Sequence, residues 1–215
     1  INSTELDPLL LSNNNATFNL TVGKQFDSYF SGYIQDLRIV KDGMYPDYPH
    51  RITDSFEVPQ ELLPIECFLE PLPCAELHVQ SDQESDSVLF IDLSVRDYLI
   101  NIGAGMPKHS IDVSPVYGAS SIKLENTDYL VVNDRFSFLH ENTTNWTIQT
   151  WAYIEEIQLD PANPAYFLHN AIDLYGIKAY YHPTGYFGFE IWDGPEKVVD
   201  MRSNKLQSGS QVNQW

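Results

Sequence analysis

Cationic side chains are scarce in this sequence, with 12 Lys and Arg against 30 Asp and Glu and a formal net charge of -18 at pH 7. Phosphate recognition needs clustered Lys and Arg, so a nucleic-acid surface is excluded. Attraction to an anionic membrane fails for the same reason. Long apolar runs are missing too. No stretch approaches the roughly 20 residues of a spanning helix, so the chain does not insert into a membrane by itself. Cysteine is reduced to Cys67 and Cys74. One pair is no disulfide framework: it closes a small loop in an oxidising compartment and stays as two thiols in a reducing one. No segment keeps a helical period beyond two turns. Residue 1 is Ile, with no basic-then-apolar signal after it, which reads as a processed chain or a fragment.

What is present is a core. Hydrophobic residues make up 43% of the chain and aromatic residues 13%, while charged residues at 20% are too few for a disordered polymer. The acidity suits solubility, repulsion between neighbours and cation binding. Asn2, Asn15, Asn19, Asn142 and Asn145 each begin an Asn-x-Ser/Thr sequon. As N-glycosylation acceptors they point to a secretory product, although a viral or bacterial chain rich in Asn and Thr shows the same pattern without any glycan.

Strands follow one another at short intervals. Phe18, Leu20 and Val22 alternate with Asn19 and Thr21, which makes a half-buried strand stopped by Gly23. In Gly32 to Val40 the alternation slips by one: Ile34 has the parity of Asp36, while Leu37 and Ile39 share the other face. A β-bulge near Gln35 and Asp36 buries all three apolar residues. Asp36 is then either re-aimed towards a neighbouring loop or ion, or bonded to nearby backbone. Residues 53–73 carry Pro59, Pro64, Pro71 and Pro73 and read as a linker or surface-wrapping segment.

Ser81 to Ser87 is an acidic, solvated loop without calcium-loop spacing. Beyond it, Ser120 to Leu124, Asp128 to Val132 and Asn145 to Ile154 read as strands. The last places Trp146, Ile148, Thr150, Ala152 and Ile154 on one face and Thr147, Gln149, Trp151 and Tyr153 on the other. Aromatics on both faces predict a central strand, its second face lining a groove or covered by another segment. Tyr175 to Tyr181 and Gly185 to Trp192 form a predicted hairpin around His182-Pro183-Thr184-Gly185. Its second arm sends Phe187, Phe189 and Ile191 one way and Tyr186, Glu190 and Trp192 the other. Frequent turns and no helix indicate an all-β, antiparallel β-sandwich or jelly roll.

The motif Ser114-Pro-Val-Tyr-Gly-Ala-Ser-Ser-Ile-Lys-Leu124, then Thr127-Asp-Tyr-Leu-Val-Val-Asn-Asp134, then Asn145-Trp-Thr-Ile-Gln-Thr-Trp-Ala-Tyr153 resembles the first half of the laminin-G-like, concanavalin A-like jelly roll. Phe30-Ser-Gly-Tyr-Ile-Gln-Asp-Leu-Arg-Ile-Val40 resembles its closing strands. A tail preceding a head implies tandem repeats incomplete at both ends: residues 1–52 close one repeat, 53–73 link, and 74–215 open the next. The resemblance implies an extracellular or virion-surface setting, with other chains of a larger assembly, or glycans, as partners and calcium as the ion. Asp36 and Asp128 match its acidic positions, although the two fall in different repeats and Gln35 stands where a second acid is usual.

Catalysis finds little support. Glycosidases of that fold carry Glu-x-Asp-x-Glu on one strand, whereas here Glu190 and Asp193 are three apart and fall on opposite faces. Gly103-Ala-Gly105 lacks a third glycine and reads as a flexible turn. The six His are scattered singly, and no Ser or Cys stands in a nucleophile elbow. Trp151, Tyr153, Tyr186 and Trp192 stack on sugars if their face is an open groove, and fill a packed layer if it is not. The sequence therefore points to a non-catalytic structural or interaction protein of a filament, appendage or virion fibre, with a lectin-like glycan-binding module as the alternative.

Overall fold

The computed structural model describes residues 19–25, 28–41, 75–79, 81–94, 96–116, 118–125, 127–133, 146–155, 164–172, 175–193 and 195–203. These residues are all-β, with no helix among them. The strands are β1 (Leu20–Val22), β2 (Lys24–Gln25), β3 (Ser28–Tyr29), β4 (Gly32–Lys41), β5 (Ala75–Val79), β6 (Ile100–Ala104) and β7 (Lys108–Ser110). They continue with β8 (Ser121–Leu124), β9 (Tyr129–Val132), β10 (Trp146–Ile154), β11 (Ala165–Ile172), β12 (Tyr175–His182), β13 (Tyr186–Asp193) and β14 (Glu196–Arg202).

A seven-stranded antiparallel sheet runs in the order β14, β13, β12, β11, β1, β9, β6. A five-stranded sheet runs β10, β4, β8, β7, with β5 also paired to β4, and β2 with β3 makes a small hairpin. Both larger sheets feed one hydrophobic cluster. The first supplies Leu20, Val22, Leu130, Val132, Leu168 and Ile177, and the second supplies Ile34, Leu37, Ile39, Leu77, Ile122 and Leu124. Burying these branched side chains is the principal stabilising contribution, about 1.5–3 kcal/mol for each fully buried one.

The expected bulge is present. Gln149 of β10 pairs with Arg38 and Trp151 with Gln35, so Thr150 faces both Asp36 and Leu37. Asp36 takes φ 54°, and the Thr150 hydroxyl donates to the Gln35 carbonyl at 3.2 Å. The extra residue turns Leu37 and Ile39 to the side of Ile34, and all three are at most 2% exposed. Here β4 also changes partner, pairing with β8 through Gly32 to Ile34 and with β5 through Leu37 to Val40.

Two expectations differ from the structure. Strands expected in separate repeats share sheets: β1 lies between β9 and β11, and β4 pairs with β10, β8 and β5. The apolar row of Leu20 and Val22 needs a neighbour on each side and finds both in the later part of the chain. No tandem arrangement is visible among the described residues, and the boundary segment 53–73 lies outside them. Second, β10 is a terminal strand among the described residues rather than a central one. Tyr153 meets Tyr33 of β4 edge-on at 5.6 Å, so its aromatic second face is partly covered without a second neighbouring strand. In addition, Gly103 and Ala104 belong to β6, with only Gly105 in the turn beyond it.

Candidate functional site

The hairpin of β12 and β13 sets up the most chemically dense surface. Pro183 fixes the start of a three-residue turn, Gly185 supplies φ 94°, and its amide donates to the His182 carbonyl at 2.8 Å. The turn fixes a register in which His182 faces Tyr186, Lys178 faces Glu190 and Gly176 faces Trp192. Alternation does the rest. Ile177, Ala179, Tyr181, Phe187, Phe189 and Ile191 join or pack on the hydrophobic cluster. Lys178, Tyr180, His182, Tyr186, Glu190 and Trp192 therefore share the opposite face.

Glu190 is its centre. Its Oε1 accepts from the Tyr180 hydroxyl at 2.8 Å and from Lys197 Nζ at 2.6 Å, and its Oε2 accepts from Trp192 Nε1 at 2.7 Å. Burial pushes the Glu190 pKa up, but the bonds from Lys197, Trp192 and Tyr180 outweigh it and hold the acid below its ordinary value. Lys197 also donates to Asp200 at 3.2 Å, and Arg202 grips Asp200 at 3.0 and 3.1 Å. The Tyr180 ring lies over Gly188, where any Cβ would collide with it. Burial and the nearby Glu190 charge push the Tyr166 phenol up to about 12, and burial, the Glu190 hydrogen bond and its charge also raise Tyr180. Both phenols thus stay protonated donors.

The aromatic rings carry cations. Lys178 Nζ lies 4.8 Å and Lys197 Nζ 5.2 Å from the Trp192 ring, while Arg202 lies 5.3 Å from the Tyr186 ring. His182 stacks on Tyr186 at 4.6 Å with 7° between planes. Lys178 is only 9% exposed. Among the described residues it has no hydrogen-bond or ion-pair partner. Burial lowers its pKa, and the Lys197 charge adds to that while Glu190 opposes it. Burial also takes His169 of β11 down to about 4, helped by Lys178.

The residues singled out from the sequence separate. Tyr186 and Trp192 stand on this face of β13, both half-buried, whereas Trp151 and Tyr153 stand on β10 in the other sheet. Asp36 is 3% exposed, and one oxygen accepts from Arg38 Nε at 2.9 Å and His78 Nε2 at 2.7 Å. Asp128 accepts from the Met106 amide at 2.9 Å and the Glu125 amide at 3.0 Å, tying down two loops. The two acids share no partner, and no group of three metal-ligating side chains occurs among the described residues. Asn19 is exposed at the entry to β1. Asn2, Asn15, Asn142, Asn145, Cys67 and Cys74 lie outside the described residues.

Sequence reading missed Lys178, Tyr180, Lys197 and Arg202, although the hairpin register with strict alternation places the first two beside Glu190. It also missed the partners of the scattered histidines. Besides His78, His109 is fully buried, with Nδ1 at 2.8 Å from the Ser81 hydroxyl, Nε2 at 2.8 Å from the Leu89 carbonyl and its ring stacked on Phe90 at 5.0 Å. The face of β11 to β14 can hydrogen-bond, pair with charge and offer ring edges to a ligand. Comparison of the chain with protein-family models, with curated proteins and with solved structures finds no match.

Proposed function

We propose that the protein is a non-catalytic, lectin-like glycan-binding module of β-sandwich, jelly-roll architecture. The sandwich reading is supported by the single hydrophobic cluster to which both sheets contribute. One observation carries the binding reading: Tyr186 and Trp192 converge with Glu190, Lys178, Lys197, Asp200 and Arg202 on one sheet face. Sugars present hydroxyls and apolar C–H surfaces together, and a face mixing ring edges with fixed donors and acceptors suits both. The acids do not suit hydrolysis. Glu190 and Asp200 are both held ionised, so neither supplies the raised-pKa general acid that glycoside cleavage needs.

Calcium is not required on this reading, because Asp36 is satisfied by Arg38 and His78. An extracellular or virion-surface setting is supported by the laminin-G-like motifs and by the exposed sequon asparagine Asn19. A glycan array probed with the intact chain tests the proposal. Signal that persists in chelator and falls at least about tenfold in Trp192→Ala supports it; a blank array, with calcium and with chelator alike, overturns it.

A second reading, a structural element held by other chains of an assembly, is favoured by a different observation. Ile102 on β6, the end strand of the larger sheet among the described residues, is 40% exposed, and Leu99 and Met106 flanking that strand are 63% and 80% exposed. Sedimentation of the chain with and without Ile102→Lys tests it. A monomer at all concentrations for both proteins removes self-assembly through this edge.

A further inference from the structure

Lys178 is the least expected side chain on the candidate face. Its stem is buried while its ammonium keeps contact with solvent, so a positive charge is held at the face with no anion bonded to it. Here the neighbouring carboxylate, Glu190, has both oxygens engaged by Tyr180, Lys197 and Trp192. What lies against Lys178 is the Trp192 ring. The face as a whole sets three cations, Lys178, Lys197 and Arg202, against two carboxylates, Glu190 and Asp200. On a chain of net charge -18 this is a local reversal of sign. Neutral sugars hydrogen-bond to charged and uncharged groups alike and gain nothing from the net sign, whereas an anionic sugar is attracted by it.

Resting on the glycan-binding reading, we propose that the ligand is an anionic saccharide, carrying a carboxylate or a sulfate, and that Lys178 is the cation that receives its charge. Trp192 lines the same spot and supplies apolar contact to the sugar ring beside the charged group. Lys197 and Arg202, already paired with Asp200, set the sign of the surrounding field. Glu190 acts at one remove: by fixing Tyr180, Trp192 and Lys197 it holds these side chains in place on the sheet face, and its oxygens are engaged by them.

The test uses the intact chain in affinity electrophoresis against two matched pairs of polymers, polygalacturonate with its fully methyl-esterified form, and dextran sulfate with dextran. Poly-L-glutamate is the non-saccharide anion. The expected result is retardation by at least one charged saccharide, at least about tenfold weaker with its neutral counterpart and with poly-L-glutamate. Lys178→Met loses about tenfold or more of that affinity and Lys178→Arg retains most of it, with both variants folded by circular dichroism. The carboxylate and sulfate arms tell the two anion sources apart.

Equal retardation by charged and neutral partners overturns the anionic ligand and leaves the glycan-binding reading standing. Equal retardation by poly-L-glutamate makes the face a general anion surface and overturns the saccharide. No retardation by any polymer overturns both readings. Charged-saccharide binding unchanged in Lys178→Met removes the role given to Lys178, and Lys197→Met serves as the second variant if Lys178→Met does not fold.

Discussion

Asp36 and His78 meet at 2.7 Å across the β4 and β5 pair, at the bulge where β4 leaves β8 for β5. Arg38 reaches the same carboxylate oxygen at 2.9 Å, and all three residues are at most 3% exposed. Burial pushes the Asp36 pKa up, but His78 and Arg38 together bring it below its ordinary value. An acid whose pKa falls on folding stabilises above its unfolded value near 3.8 and loses that contribution as pH drops through the folded value. Replacing Asp36 by Asn keeps a residue that tolerates positive φ while leaving the buried Arg38 guanidinium without its anion and His78 without its carboxylate partner. Loss of about 3–5 kcal/mol in urea denaturation is expected. A loss below about 1 kcal/mol would show that the carboxylate is dispensable to the bulge.

His169 makes stability fall in mild acid. Its folded pKa of about 4 lies below the ordinary 6.5. Below 6.5 the unfolded chain takes up a proton that the folded chain refuses, so stability drops as pH goes from 6.5 to about 4 and then levels off. The ceiling is about 3 kcal/mol. His109, also lowered by burial, acts in the same direction. Denaturation midpoints at pH 7.5 and 4.5 measure the drop. His169→Gln is expected to shrink it, and an unchanged slope would assign the effect to other groups.

Gly188 exists for Tyr180. Alanine at 188 drives the ring off its place and breaks its bond to Glu190, with a stability loss of about 1–3 kcal/mol. Tyr180→Phe removes only the hydroxyl and costs about 1–2 kcal/mol. In the pair Gly188→Ala with Tyr180→Phe, the two losses are expected to be less than additive, because the first already breaks the bond that the second deletes. Calorimetry on the four proteins decides, and strict additivity would uncouple the two positions.

The buried Ser81 and His109 pair pins the acidic loop against the smaller sheet. Ser81→Ala leaves His109 Nδ1 with the more distant Ser120 hydroxyl at 3.4 Å. A loss of about 1–3 kcal/mol is expected. Limited proteolysis within residues 81–90 is expected to accelerate in parallel; global destabilisation without faster cleavage there would place the effect elsewhere.

Periodicity was informative wherever one strand decides its own outcome. The parity slip at Ile34 and Leu37 located the bulge, and alternation in Tyr186 to Trp192 gave the two faces of β13. Pairing was not legible in this way. Leu20 and Val22 declare a buried row, but nothing in their own pattern says that the neighbours are β9 and β11. The candidate face failed for a related reason. Lys178 on its own reads as an ordinary solvated cation, and only the hairpin register buries its stem beside Glu190 and Trp192. Aromatics on both faces of β10 suggested a central strand, yet Tyr33 supplies the cover from the adjacent strand.

The position of β1 between β9 and β11 sets the order in which the molecule can be assembled. Thr21 and His169 are joined across 148 residues, and the bond between them closes the middle of the larger sheet. Residues 20–41 are synthesised before every strand they pair with: β4 meets β5 and β8 early, β1 meets β9 next, and β10 and β11 come last. Contacts this distant in sequence slow folding, and one edge of β1 stays unpaired until β11 is made. A nascent chain stopped before β11 therefore has β1 paired on the β9 side alone, with the larger sheet still open in its middle.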